Sequence, residues 1–235
     1  MKKKLLLIIP AVILLLVLAF VFIIPLLSGK DGITFKNDYE VLNGKENANG
    51  KVHREVTIPK QNPIIISDLG EVVKMIENGE SFYVYFGDPL CPWCRSVIEK
   101  AIEVANANGI KKIYYVDFWD NEGNEVLRDK YTLDDNGNIV KDKEGTEEYN
   151  KIITYLADVL DEYTLTDKDG NKTAVGEKRV YLPNFIYIAK GKAVRITTGI
   201  SSLQEGSRDE LTEDILKEEE QKFDDFFINV CDDNC

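Results

Sequence analysis

Five consecutive apolar and aromatic side chains, Phe82-Tyr83-Val84-Tyr85-Phe86, leave no polar face. Such a segment is a strand covered on both sides, in the middle of a sheet with helices packed above and below. Gly87-Asp88-Pro89-Leu90 ends it, and a helix opens at Cys91 and Pro92, with Val97, Ile98, Ala101, Ile102 and Ala105 on one stripe and Gly109 as its stop. Lys112 to Phe118, centred on Ile113-Tyr114-Tyr115-Val116, reads as a second buried strand. Strand, helix and strand within about 40 residues make a βαβ unit with parallel strands. The fold class expected is therefore α/β.

A second constraint lies at the N-terminus. Leu5 to Leu27 runs without a charged residue behind Lys2, Lys3 and Lys4, with Pro10 and Pro25 toward its ends. At about 1.5 Å per residue this run reaches roughly 34 Å as a helix, enough to cross a hydrocarbon core of about 30 Å. The expectation is a transmembrane anchor over 1–27, inserted with the lysines on the cytoplasmic side and the rest of the chain outside. A cleaved signal peptide is disfavoured, because its apolar region is shorter and ends in a small-x-small site that Leu27, Ser28 and Gly29 only approach. Setting aside 1–27 removes three lysines and no acid, so the net charge goes from -12 to -15, with 26 basic against 41 acidic side chains. That balance argues against nucleic acid as a partner, since a polyanion repels it.

Outside the anchor, residues 28–62 read as a polar Gly- and Asn-rich stalk turning into an entry strand around Val52 to Ile58, before a domain over 63–235. A helix follows with Asp68 and Glu71 as a capping box and Leu69, Val72, Val73 and Ile76 on one face. Between Phe118 and Leu182 an insertion, about 120–180, is expected to hold a small core of its own, built on a helix from about Glu147 to Tyr163 that buries Ile152, Leu156, Val159 and Leu160. The turns at Asp134 to Asn138 and Asp167 to Asn171 lack the ligand spacing of a calcium loop and read as hairpins. Tyr181 to Ile188 and Ala193 to Thr197 form an antiparallel hairpin over Lys190-Gly191-Lys192. The last helix, from about Asp209 to Asn229, buries Leu211, Ile215, Phe223, Phe226 and Phe227 and offers Glu218, Glu219 and Glu220 to solvent.

The residues richest in chemistry are Cys91-Pro92-Trp93-Cys94. A cysteine at a helix start meets unpaired amides and the positive end of the helix dipole, which favour its thiolate and make Cys91 a nucleophile. Cys94, one turn inward, is placed to attack a mixed disulfide on Cys91 and release the substrate. Arg95 adds a positive charge nearby, and Asp88 opposes it.

With the order of these parts the chain resembles the thioredoxin superfamily. Over about residues 66–229 it has a buried strand, Cys-x-x-Cys at a helix N-terminus, a parallel strand, a strand opening with Leu182-Pro183, a hairpin and a C-terminal helix. The stretch from Phe86 to Arg95 looks like membrane-tethered thioredoxin-like proteins of Gram-positive bacteria, some of them called bacteriocin transport accessory proteins. The resemblance implies a thioredoxin-like fold, a central mixed sheet flanked by helices with an insertion before the cis-proline strand. It also implies thiol-disulfide exchange with protein substrates, no cofactor, and a redox partner that resets the pair. It makes Cys91, Cys94 and Pro183 the catalytic positions, with Pro92, Trp93, Arg95 and Leu182 in support and Pro183 presenting backbone to the substrate chain. Thioredoxins have a buried acid six residues before the first cysteine. Here that position is Tyr85, so the proton on Cys94 must go to water or another acid. The Pro-Trp pair is closer to the Pro-aromatic pairs of glutaredoxins and periplasmic dithiol oxidases, so an oxidant is as compatible as a reductant.

Other readings stand beside this one. Cys231 and Cys235 are read as an inert local disulfide, because Asp232 and Asp233 disfavour their thiolates, with a second redox relay or half of a zinc site as alternatives. His53, the only histidine, reads as a surface residue, so a cysteine-protease dyad has no obvious base. Trp119 and Tyr114-Tyr115 read as core. The alternative to an enzyme is a non-catalytic binding module for an export system that presents the Pro183 groove and the insertion.

Overall fold

The computed structural model describes residues 24–119 and 127–227. Most of the apolar run Leu5–Leu27, part of the insertion, and Cys231 and Cys235 lie outside them. In chain order the elements are α1 (Ile24–Glu40), β1 (Ile64–Ile66), α2 (Leu69–Glu77), β2 (Phe82–Gly87), α3 (Pro92–Ala107), β3 (Ile113–Asp117), β4 (Lys130–Leu133), β5 (Ile139–Lys143), α4 (Glu147–Tyr155), β6 (Glu162–Thr166), β7 (Lys172–Lys178), β8 (Asn184–Ala189), β9 (Lys192–Thr197) and α5 (Glu213–Phe227). Among the described residues no helix is long and apolar enough to cross a membrane.

Five strands form one mixed sheet in the order β1-β3-β2-β8-β9. β3 runs parallel to both β1 and β2, while β8 is antiparallel to β2 and to β9. The all-apolar β2 lies at the centre, where its run of side chains predicts it. Alternation along the strand sends Tyr83 and Tyr85 to one face and Phe82, Val84 and Phe86 to the other. The first face is covered by α1, α3 and α5, the second by α2 and α4. The chain is thus an α/β protein with a central mixed sheet flanked by helices.

Residues 28–62 differ from the spacer that their composition suggests. Phe35 and Tyr39 of α1 are completely buried and pack on the β2 and β3 aromatics, with Phe35 edge-on to Tyr115 at 4.8 Å between ring centroids. Burying a large apolar side chain stabilises by about 1.5–3 kcal/mol, so these two rings alone fasten α1 to the sheet. Nor is there a strand at Val52 to Ile58. Val56 and Ile58 enter the core, but their backbone is satisfied by side chains. Asn43 bonds both the amide and carbonyl of Val56, and Glu40 accepts from the Ile58 amide. The first strand is β1, whose Ile64-Ile65-Ile66 run pairs with β3.

The insertion also departs from its expected independence. Tyr149, Ile152 and Leu156 pack with α2 and with Val84, Phe86 and Ile186 of the sheet, in one continuous core. The helix stops at Tyr155, and the chain continues to β6, which pairs with β7 as a hairpin beside the β4-β5 hairpin. At the other end of the domain, Gly199 takes a positive φ of 70°, and a side chain there would strike the Phe223 ring of α5.

Within α5 the acidic triplet is not uniformly solvated. Glu218 accepts from Ser201, Ser202 and Lys222, whereas Glu219 is fully buried with neither carboxylate oxygen hydrogen-bonded. Burial pushes the Glu219 carboxyl up to about 7 against the opposing pull of Arg54, Lys100 and Lys222. Since its folded-state pKa lies above the unfolded one, the stability that its protonated form contributes is present at low pH and is lost as pH rises toward 7. A Glu219→Gln variant, which cannot ionise, should gain on the parent by about 1–2 kcal/mol as pH goes from about 4.5 to about 7.5, allowing for solvent screening. Urea midpoints of both proteins across that range check it.

Candidate active site

β2 ends against the start of α3, and the turn Asp88 to Leu90 delivers Cys91 as the helix N-cap with Pro92 as the first helical residue. Proline suits that place because its missing N–H would have no helical partner. The Cys94 amide donates to Cys91 Sγ at 3.4 Å, and Cys91 Sγ donates to the Leu182 carbonyl at 3.9 Å. Leu182 is joined to Pro183 by a cis peptide immediately before β8. The structure therefore brings Cys91, Cys94, Leu182 and Pro183 together from positions 91 residues apart in the chain. Trp93 is half-buried beside them, its carbonyl accepting from the Ser96 hydroxyl at 2.8 Å.

The two thiols, both free, are unequal. Cys91 is partly exposed and Cys94 is completely buried. The hydrogen bond from the Cys94 thiol holds Cys91 below the usual thiol range, with the Cys94 and Trp93 amides helping and burial and the Asp88 carboxylate opposing. Burial pushes Cys94 well above that range, and its hydrogen bond and charge repulsion with Cys91 push the same way. The outer sulfur is the better nucleophile and the inner one is held as a thiol.

Arg95 does something other than lend charge to Cys91. It is only 1% exposed, and its guanidinium donates to the carbonyls of Tyr39 at 2.9 Å, Arg54 at 2.8 Å and Pro89 at 3.1 Å, and to Asn43 Oδ1 at 2.6 Å. Every one of these acceptors is neutral, and they come from the end of α1, the segment after it and the loop before Cys91. His53 is also placed differently from expectation. It is 4% exposed, its Nδ1 has no partner, and burial lowers its pKa, with Arg95 and Arg208 acting in the same sense.

Cys91 opens onto a cleft of about 530 Å³, whose far wall is the insertion. Trp119, Arg128, Tyr163, Arg179 and Tyr181 line that wall opposite Leu90 and Pro92. Arg179 stacks over the Tyr163 ring at 4.0 Å, and Arg128 donates to the Val180 carbonyl at 2.9 Å while lying 5.0 Å over Phe118. Sequence reading did not single out these two arginines or two tyrosines, and Trp119, which it gave to the core, packs partly buried against that core while also lining the cleft. Only the proximity of Arg179 and Tyr181 to Leu182 along the chain hinted at them. A larger cleft of about 630 Å³, around Ser81, Lys111 and Lys190 at the opposite end of β2, contains neither thiol.

What fold and site define together is a mixed α/β domain with a Cys-x-x-Cys pair at a helix N-terminus facing a cis X-Pro peptide. No family model matches the chain, and no curated protein matches it either.

Removing the Arg95 side chain leaves the Arg54 and Pro89 carbonyls without this donor, while the Tyr39 carbonyl keeps the Leu42 amide and Asn43 Oδ1 keeps the Val56 amide. At about 1–3 kcal/mol per orphaned group, partly relieved by relaxation, Arg95→Met should destabilise the domain by about 2–4 kcal/mol. Denaturant unfolding of the variant measures this, and a loss within 1 kcal/mol or so would mean that the carbonyls find other partners.

Proposed function

We propose that this protein is a thiol-disulfide oxidoreductase of thioredoxin-like fold, tethered to the membrane by the Leu5–Leu27 run with its catalytic domain outside the cytoplasm. The observation that supports it most is the asymmetry of the thiol pair, with Cys91 partly exposed, stabilised as thiolate and open to a cleft, and Cys94 buried directly behind it. The sheet order, the α3 placement of the pair and the Leu182–Pro183 cis peptide beside Cys91 support the same reading.

In the reductive direction the Cys91 thiolate attacks one sulfur of a substrate disulfide. A Cys91–substrate disulfide forms, the substrate's S–S bond breaks, and the other substrate sulfur leaves and takes a proton. Cys94 then attacks Cys91 Sγ, giving the Cys91–Cys94 disulfide and a second substrate thiol. Two electrons pass from the protein pair to the substrate. The same steps reversed oxidise a substrate dithiol, and a separate redox partner resets the pair in either case. The Leu182 carbonyl and the chain at Pro183 lie where an extended substrate segment meets Cys91, and the cleft wall formed by the insertion borders the same place.

A Cys94→Ser variant should accumulate substrates as disulfides through Cys91, visible as reductant-sensitive adducts on non-reducing gels of membranes and absent from the Cys91→Ser, Cys94→Ser double variant. If no adduct forms while the single variant folds normally, the oxidoreductase reading is wrong, and a double variant that still supports function in the cell would favour a binding module.

A further inference from the structure

The apolar run and the domain share a helix, and the direction of that helix decides which end of the domain the run leaves from. α1 begins at Ile24, so Ile24 to Leu27, the end of the run, form the first turn of an element that belongs to the domain. Further along, Phe35 and Tyr39 fasten α1 to the sheet, both completely buried.

Two hydrogen bonds give α1 its direction. The Gly32 carbonyl accepts at 3.0 Å from the side chain of Asn62, two residues before β1. The Tyr39 carbonyl accepts at 2.9 Å from Arg95, whose guanidinium also donates to the Pro89 carbonyl in the loop before Cys91. α1 therefore runs in the same sense as the parallel strands β1, β2 and β3, from the end where they start to the end that carries Cys91. The run joins the domain at the strand-start end.

Heights follow from helix geometry. At about 1.5 Å per residue, Gly32 lies about 8 Å beyond Leu27 and Tyr39 about 18 Å beyond it. Headgroups occupy about 5–7 Å on each side of the hydrocarbon. With the run in the membrane, the strand starts come level with the outer headgroups, and the loop before Cys91 stands roughly 12 Å above them.

The chemistry of the strand-start end suits that place. The cleft of about 630 Å³ there is lined by Lys111 and Lys112 before β3 and by Lys190 after β8, with Glu80 beside them. Phe82 of β2 pairs with Ile188 of β8, which brings Lys190 to this end, where its amide donates to Ser81 Oγ at 2.9 Å. All three lysines are exposed. The chain beyond the run carries a net charge of -15, so an anionic surface repels the domain as a whole. Such a surface acts over a Debye length of about 8 Å at physiological salt, so the end it meets at close range is the one where these cations gather. Charge and α1 thus turn the domain the same way.

We propose that the domain stands on the membrane by its strand-start end, with Lys111, Lys112 and Lys190 against anionic lipid headgroups, and that α1 holds the Cys91 cleft at a set height facing away from the bilayer. This rests on the reading of a membrane-tethered oxidoreductase and adds which cysteines it reaches. Its substrates present theirs in extracytoplasmic segments that stand clear of the headgroups, and cysteines at the bilayer surface are out of range.

Two measurements on the full chain in vesicles of phosphatidylcholine and phosphatidylglycerol test this. The first is acetylation by acetic anhydride, read lysine by lysine by mass spectrometry. Lys111, Lys112 and Lys190 should each react about 5-fold more slowly than in detergent. Lys45 and Lys51, exposed in the segment after α1, should be unchanged. The second uses a phosphatidylethanolamine with a pyridyl disulfide on its headgroup, in a Cys94→Ser, Cys231→Ser, Cys235→Ser background that leaves Cys91 as the thiol. Attack by Cys91 forms a Cys91–lipid disulfide and expels pyridine-2-thiol, which absorbs light. A variant with about twelve Gly and Ser residues inserted after Ser28 gains about 20 Å of slack while keeping Phe35 and Tyr39. The parent should react with the lipid disulfide roughly 10-fold more slowly than this variant, and both should react equally with a soluble pyridyl disulfide. Equal rates with the lipid disulfide, or lysines as reactive in vesicles as in detergent, overturn the proposal. A chain that leaves the vesicles on alkaline washing overturns the tether instead, and a Cys91 that reacts with neither disulfide overturns the oxidoreductase reading.

Discussion

A guanidinium buried among neutral acceptors holds this domain together where its chemistry lies. Arg95 follows Cys94 directly, and its donors reach the carbonyl that ends α1, a carbonyl of the extended segment at Arg54, and the carbonyl of Pro89 in the loop before Cys91. A buried cation without a bonded carboxylate is tolerable only when its N–H groups are well satisfied, and this one has donors aimed at four oxygens. The price of that arrangement is geometric: three chain segments with no regular ladder between them must arrive together for the site to form. Once they do, the loop that presents Cys91 and the helix that carries Tyr39 are locked to the same side chain.

From this follows the gradient across the two sulfurs. α3 places Cys94 one turn inward of Cys91, completely buried, where burial disfavours its thiolate. Cys91, one turn out, gathers the helix amides and opens onto the insertion's wall. Burial and the amides at the helix start thus leave one sulfur more readily ionised than the other. The Asp88 carboxylate bears on Cys91 and opposes its ionisation.

The parts of the fold legible in the sequence were those whose periodicity is strong. Phe82 to Phe86 could be nothing but a central strand, Val97 to Ala105 a buried helix face, and Cys91-Pro92 a helix start, and the structure has all three. The capping box at Asp68 is also present in altered form, with Asp68 accepting from the Glu71 amide while the Glu71 carboxylate takes the Ser67 hydroxyl. What stayed hidden lacks a local signal. Phe35 and Tyr39 are two rings in a stretch otherwise rich in glycine, lysine and asparagine, so their burial depends on a sheet made elsewhere. The partners of Arg95 are backbone carbonyls, which no residue pattern advertises. Glu219 and His53 are polar side chains in polar stretches of sequence, and both are buried.

The central claim is that Cys91 and Cys94 act as one two-electron couple. Equilibrating the domain with glutathione of graded redox ratio, quenching with acid and weighing the species by mass spectrometry addresses it directly. The account predicts a single transition in which both thiols disappear together into an intramolecular disulfide, with mixed glutathione adducts scarce throughout. Stable glutathione adducts on Cys91 with Cys94 still a thiol across the whole range, or no oxidation of the pair at all, would contradict it.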